Sequence, residues 1–476
     1  MQTKSHLSVL IHKQAEKYGN KVALTYKAFG STQWSSVSWN EFSLRVKQVS
    51  NAFLHFNLQP QDKIAVFAQN CLPYFYTDFG AYGVQLVSVP LYATSSEQQI
   101  QYIINDADIR ILFIGEQEQY DKAYRVISRC PSLAQLIVFD ESVTLANEDK
   151  KTLYFKDFLM LGEDLKHQKE VETLYASARE DMLCNILYTS GTTGDSKGVM
   201  LPYSQFHAAL EANDKCVPLS ENDRVMCFLP LTHIFERAWD YLSLSEGAEI
   251  IINTNPKDIL VSLKETHPTC MSSVPRFWEK VYSAVKEKIE KSSSVQQKLF
   301  YHALEIGKKH NINYLSRGKT PPFTLRMEYK LLNKTILSKV RKQLGLERPN
   351  IFPTAGAKVA PHIEEFVHAI GIEMIVGYGL TESLATVSCD HKNKVYTVGS
   401  VGRLIEGIQI KFGENNEIML KGPTITSGYY KRDTLNQEAF DEEGFFKTGD
   451  SGYIKDGELF LTERIKDLFK TSNGKY

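Results

Sequence analysis

Short runs of β-branched and aromatic residues recur along the chain, separated by longer segments whose apolar residues return every three or four positions. The runs are Ile64–Ala68, Leu86–Val89, Arg110–Ile114, Leu136–Phe139, Asn185–Tyr188, Val225–Leu229 and Glu249–Ile252, then Cys270–Val274, Ile351–Thr354 and Glu373–Val376. Most lack strict apolar–polar alternation, the pattern of strands covered by helices on both faces, so an α/β fold is expected. At the N-terminus Leu7, Leu10, Ile11, Ala15 and Tyr18 fall at helical spacing and predict an amphipathic opening helix. Its apolar stretch is too short for a signal peptide, and no stretch reaches the ~18 apolar residues of a membrane span.

Two regions depart from this rhythm. From Lys280 to about Leu346 the pattern is helical, interrupted at Gly318–Pro322, and basic residues outnumber acidic ones. It reads first as a solvated helical insertion, and second as a basic face set against acidic lipid or cofactor phosphates. From Gly399 onward, Gln409–Phe412, Glu417–Lys421, Gly452–Ile454 and Glu458–Thr462 predict short strands joined by turns. The expected organisation is an α/β body over 1–398 with the helical insertion at about 280–346, a β-rich unit over 399–463, and a short tail over 464–476.

Composition narrows the function classes without naming one. At 476 residues the chain exceeds what one compact core ordinarily serves. Its 55 basic and 56 acidic residues leave a net charge of -1, so the whole chain has no electrostatic footprint for nucleic acid. Seven scattered cysteines without a C-x-x-C pair argue against a disulfide framework and a zinc site, and fit a reducing, cytoplasmic setting.

The segment Tyr188-Thr189-Ser190-Gly191-Thr192-Thr193-Gly194-Asp195-Ser196-Lys197-Gly198-Val199 carries the most chemistry. It follows an apolar run and packs hydroxyls, glycines and one lysine into a single loop. Glycines let backbone N–H groups turn toward an anion, hydroxyls donate further hydrogen bonds, and the lysine adds a mobile positive charge. It is not a Walker A loop, because Lys197 follows Ser196 and precedes Gly198.

This loop resembles the signature Y-T-S-G-T-T-G-x-x-K-G of the adenylate-forming superfamily of acyl-CoA synthetases, luciferases and adenylation domains. Ser196 stands where many members carry proline. Further segments match in the family's order. Leu229–Arg237, read L-P-L-T-H-I-F-E-R, resembles the long-chain fatty-acid branch and implies that His233 lies on the wall of the acyl and adenylate site. Pro275–Tyr282 and the basic helical insertion resemble the same branch. Trp239 reads as core. Thr354–Pro361 resembles the loop along the adenine, with Gly356, Ala357 and Lys358 as its contacts; Lys358 is bulkier than the family's usual residue. Gly377-Tyr378-Gly379-Leu380-Thr381-Glu382 matches the Y-G-x-T-E motif. That match implies Tyr378 stacked on adenine beside Gly379, Thr381 on the α-phosphate, and Glu382 with Thr189 on Mg²⁺. Thr448-Gly449-Asp450 and Arg464 complete the set, with Asp450 and Arg464 on the ribose; Glu463 replaces the family's glycine before that arginine.

The resemblance implies the large N-terminal part of the adenylate-forming fold, two α/β subdomains and a small β-rich one. It implies ATP-dependent activation of a long-chain fatty acid to acyl-AMP with release of pyrophosphate, then transfer to coenzyme A. The demands are to screen two anions, align them in line, and stabilise the leaving pyrophosphate, in which Lys197, His233, Thr381 and Glu382 would take part. Lys466 occupies the family's hinge position. The chain stops soon after it, so the resemblance implies that the α+β lid domain with its adenylation lysine is missing. The chain as given is then expected to bind ATP and acyl-adenylate but to form thioester very slowly. The residues leave open a fatty acyl-AMP ligase that loads a carrier protein, and a non-catalytic acyl-nucleotide-binding protein. Chain-length preference and oligomeric state are not legible.

Overall fold

The computed structural model describes residues 4–189, 196–392 and 395–464. Its first layer is a seven-stranded sheet in the order Thr152–Tyr154, Gln135–Val138, Ile109–Ile114, Lys63–Phe67, Val87–Leu91, Leu183–Thr189, Lys197–Pro202. Neighbours run parallel except the last pair, which is antiparallel. Because successive side chains point to opposite faces, Ile64 and Val66 join one apolar core while Ala65 and Phe67 join another. The helices Glu97–Asp106 and Gln117–Val126 close the second core with Ile100, Ile104, Tyr120 and Ala123. Burial on both faces explains the near-continuous apolar runs in the sequence.

A second sheet orders Cys270–Met271, Arg224–Cys227, Glu249–Ile252, Val22–Lys27 and Trp34–Ser38. Single parallel bridges, Cys270 to Ile351 and Ser273 to Thr354, bring it against Phe352–Thr354 and Met374–Tyr378. These two strands begin a third sheet that continues through Ser388–Cys389 and Arg403–Leu404. Buried Trp278 pins this junction, its indole N–H donating to Ser273 Oγ at 2.8 Å. The last unit is an antiparallel sheet of Gln409–Phe412, Glu417–Lys421, Phe446–Lys455 and Glu458–Arg464.

The opening helix runs Leu10–Tyr18 and buries Leu10, Ile11 and Ala15. Besides the short Thr152–Tyr154, Ser388–Cys389 and Arg403–Leu404, three strands fall outside the sequence-based expectations. Val22–Lys27 and Trp34–Ser38 form an antiparallel hairpin. The second of these, W-S-S-V-S, is polar and sits at a sheet edge, so it lacks an apolar signature. Lys197–Pro202 is the third. Phe446–Lys455 is also longer than the expected Gly452–Ile454, because the T-G-D turn residues lie inside the strand. No helix among the described residues is long and apolar enough to cross a membrane.

Candidate active site

A cleft of about 910 Å³ opens where the first sheet, the third sheet and the last antiparallel sheet meet. Thr189, Ser196 and Lys197 line one side, His233 and Phe235 a second, Gly356 and Gly379–Glu382 a third, and Thr448, Gly449 and Arg464 a fourth. Ser190, Gly191, Thr192, Thr193 and Gly194 lie outside the described residues, as does Lys466.

Both ends of the glycine- and hydroxyl-rich loop are held firmly. Thr189 and Lys197 are cross-strand partners, so the loop closes an antiparallel hairpin. Tyr188, just before it, donates its hydroxyl to Asp106 Oδ2 at 2.6 Å. Just after it, the Ser196 carbonyl accepts from the Tyr102 hydroxyl at 3.0 Å. Arg432 ties the two anchors together, donating to Tyr102 at 2.6 Å and to Asp106 Oδ1 at 2.7 Å. Burial and the neighbouring Asp106 carboxylate push the Tyr188 phenol far above its usual pKa, so it stays protonated and keeps its proton for Asp106.

The turn Thr381–Ser383 follows the strand Met374–Tyr378 and is forced close to the chain beyond it. A Cβ at Gly379 would sit 1.7 Å from the Ala385 carbonyl, so only glycine fits. Leu384 and Ala385 take φ of 49° and 78°, left-handed values that cost non-glycine residues energy and mark a constrained turn. That turn presents Glu382 to the cleft. Its backbone carbonyl accepts from Thr426 N at 2.7 Å, and its Oε1 from the Tyr429 hydroxyl at 2.8 Å. The Tyr429 ring lies under the Lys197 ammonium, 5.2 Å from its centroid. Tyr429 thus joins the lysine of one motif to the carboxylate of another. The sequence reading did not single it out; its only signal is the Gly428-Tyr429-Tyr430 step after a run of small residues.

Asp450 and Arg464 are cross-strand partners, and Arg464 Nε donates to Asp450 Oδ1 at 3.0 Å. The strand register shifts between Asp450 and Gly452, and Gly449 takes φ of 73°, so a bulge turns Asp450 inward. Its other oxygen accepts from the Tyr378 hydroxyl at 2.7 Å. The Tyr378 ring is buried and borders a smaller cavity rather than the cleft itself. Ala357 and Lys358 are exposed and do not line the cleft.

His233 caps the helix Ile234–Ser245, its Nδ1 accepting from Phe235 N at 3.2 Å. Although the ring is exposed to the cleft, desolvation by the surrounding protein lowers its pKa, which favours the neutral imidazole. Beneath it, the Glu-Arg pair of the same motif is fully buried. Glu236 accepts from Phe228 N at 2.8 Å and from the Ser272 hydroxyl. Arg237 donates to Asp78 at 2.7 Å, to Tyr241 at 2.7 Å and to the Leu231 carbonyl at 2.9 Å. Asn70 Oδ1 takes the Leu231 N–H at 2.9 Å, so the loop carrying His233 is held from below on both sides. Asp240, one turn on, has among the described residues no hydrogen-bond partner for its oxygens beyond the Cys227 thiol, and burial raises its pKa to about 7.

The smaller cavity, about 50 Å³, is mainly apolar and shares Phe235, Ala355 and Ala385 with the cleft. Leu210, Val217, Trp239, Leu242 and Ile375 complete its apolar wall. Trp239 is buried, as a core residue is, and it also forms part of this wall. The site therefore couples a polar cleft, bearing a lysine, a carboxylate and an acid–arginine pair, to an adjoining apolar chamber.

Residues 11–430 match the family described as AMP-binding enzyme. The long-chain-fatty-acid–CoA ligase ACSBG2 of Xenopus laevis is 29% identical over 98% of this chain and 64% of its own length. The chain thus spans a little under two thirds of that relative. Among solved structures, the anthranilate CoA ligase AuaEII in complex with anthranoyl-AMP superposes with a TM-score of 0.75 at 16% identity, over 99% of this chain and 80% of that one. A long-chain-fatty-acid-CoA ligase, FadD1 from Archaeoglobus fulgidus, gives 0.70 at 20% identity, over 97% and 84%. At these identities the two superpositions establish the fold.

Proposed function

The chain belongs to the AMP-binding enzyme family, and on that premise we propose that it serves the ATP-dependent activation of a long-chain fatty acid. The fatty carboxylate attacks the α-phosphorus of ATP, a P–O bond forms as the bond to the β-phosphate oxygen breaks, and pyrophosphate leaves with acyl-AMP as product. In a second step a coenzyme A thiolate attacks the acyl carbonyl and AMP departs.

The observation that carries this reading is that the two cavities adjoin, with Phe235, Ala355 and Ala385 as their common wall. An acid with an apolar tail in the chamber would bring its carboxylate to the cleft, where the phosphate groups would bind. Lys197 and the Thr189–Lys197 hairpin would hold the leaving pyrophosphate, with charge-assisted hydrogen bonds that strengthen as its charge grows. Neutral His233 and Thr381 would orient the reacting carboxylate and α-phosphate. Asp450 and Arg464 would take the ribose, and Gly356 and Gly379, which line the cleft, would lie along the adenine. Glu382, partly exposed to the cleft, with Thr189 across from it, is a donor set of the oxygen type that suits Mg²⁺. When bound, that ion would screen the repulsion between carboxylate and triphosphate. The name of the frog relative supports a long-chain acid. A chamber of about 50 Å³ would have to widen for such a chain, which points to movement of Phe235 or Trp239 on binding.

Calorimetric titration with non-hydrolysable acyl-sulfamoyl adenosines of short, medium and long chain tests the proposal. Affinity should rise with chain length, at about 0.8 kcal/mol per methylene buried, and then reach a plateau. Equal affinity at every length would rule out the apolar chamber as the acyl site. No binding at any length would refute adenylate recognition by this chain.

A further inference from the structure

The helix Phe323–Leu332, in the basic insertion, carries a face that internal packing does not use. Leu325, Tyr329 and Leu332 point inward and pack on the core. On the outer side Phe323, Met327 and Leu331 recur every four residues and are 68%, 51% and 62% exposed. Arg326 and Lys330 run alongside them on one side, also exposed, and at 100° per residue all five fall within an arc of about 140°. Lys334 follows at the helix end. Among the described residues Arg326, Lys330 and Lys334 have no ion-pair partner, and Arg326 rests near the Phe323 ring, 6.0 Å from its centroid. The acidic residue of the helix, Glu328, is tied instead to His302 at 2.9 Å.

We propose that this face docks on an anionic lipid bilayer. An apolar row and a basic row on one arc match the boundary between acyl chains and negatively charged headgroups, where long basic side chains keep their charge in water. Charge complementarity selects this occupant. From Arg317 to Lys339 there are six basic residues and one acidic residue, while the chain as a whole carries a net charge of -1. The face is therefore a local basic patch on a neutral protein, and an attraction confined to it would orient the molecule on the surface. The proposal is independent of the assigned chemistry and stands even if another acid is the substrate.

Co-sedimentation of the full chain with vesicles of phosphatidylcholine alone, or of phosphatidylcholine with phosphatidylglycerol, tests it at low and high salt. Binding to the anionic vesicles should be at least about tenfold tighter than to the neutral ones and should weaken in high salt. The variant Phe323→Ser/Met327→Ser/Leu331→Ser should lose about tenfold or more. Lys330→Glu/Lys334→Glu should lose the salt-sensitive part. Both should melt like the parent, because the changed side chains are exposed. The proposal is overturned if the parent binds neither vesicle, or if neither variant changes binding. Self-association that the triple-serine variant abolishes, without vesicle binding, would also overturn it and make a second copy the occupant.

Discussion

Two charged clusters lie within a few turns of each other and behave in opposite ways. In the cleft, Lys197, Glu382 and Arg464 are at least partly open to solvent, and among the described residues their side chains are held by an aromatic ring, a phenol and an aspartate, respectively. Beneath helix Ile234–Ser245, Arg237, Asp78, Glu236 and Asp240 are sealed from water. There Arg237 meets an aspartate, a carbonyl and tyrosine hydroxyls. A charge in water with one partner keeps spare capacity for a ligand, whereas a buried charge must be fully engaged or it destabilises the fold. The same motif, L-P-L-T-H-I-F-E-R, reaches both places: it sets the polar but neutral His233 on the cleft and the buried Glu236–Arg237 below it.

The sharpest test of that division is Arg237→Ala. It would strand the Asp78 carboxylate in the core and release the Leu231 loop, at a cost of roughly 3–5 kcal/mol. The expected readout is a large fall in melting temperature or loss of soluble protein. A near-neutral melt would mean that the buried network does not hold the scaffold. Lys197→Ala should do the reverse, leaving the melt nearly unchanged while weakening ATP more than AMP by roughly 1.5–3 kcal/mol for one charge-assisted bond. Equal losses for the two nucleotides would remove Lys197 from the β- and γ-phosphates.

The buried cluster also carries a pH signature. Asp240 in the folded chain titrates near 7, raised by burial, against an ordinary value of 3.8. A carboxyl whose folded pKa is raised binds its proton more tightly when folded, so its contribution to stability is full below about pH 4 and is lost as pH rises through about 7. Asp240→Asn cannot ionise. It should melt like the parent in acid and above it at pH 8, by no more than about 2 kcal/mol because the new amide must itself find acceptors. Parallel melting curves across that range would show that Asp240 ionises without cost.

Legibility in the sequence follows the same line between local and distant causes. The strands of the first sheet are legible because burial on both faces leaves continuous apolar runs, as in Ile109–Ile114. Thr189, Lys197, Glu382 and Asp450 stand out because each sits in a short stretch where glycine and hydroxyl residues are concentrated. Tyr102, Asp106 and Arg432 do not, although they hold both ends of the glycine- and hydroxyl-rich loop. They are ordinary residues on an ordinary helix and loop, joined across more than 300 positions of chain. Nothing local marks such a contact, since it exists only once the last sheet packs beside the first. The polar edge strand Trp34–Ser38 is missed for a related reason, because pairing with Val22–Lys27 defines it rather than its own composition.

Tyr429 is the smallest and most discriminating case, because it belongs to the cleft but was invisible as a motif. Its hydroxyl donates to Glu382 and its ring supports Lys197, so Tyr429→Phe separates the two roles. The ring and its packing survive the change, while Glu382 loses one neutral donor in a partly exposed place. A loss of about 1 kcal/mol in binding of Mg²⁺–ATP is expected, with little change in binding of metal-free AMP and an unchanged melt. If metal-free AMP weakens as much as Mg²⁺–ATP, the phenol acts on the nucleotide itself and not through the carboxylate. If the melt falls instead, Tyr429 belongs with the buried cluster, and the boundary between ligand-ready and structural charge must be redrawn around Glu382.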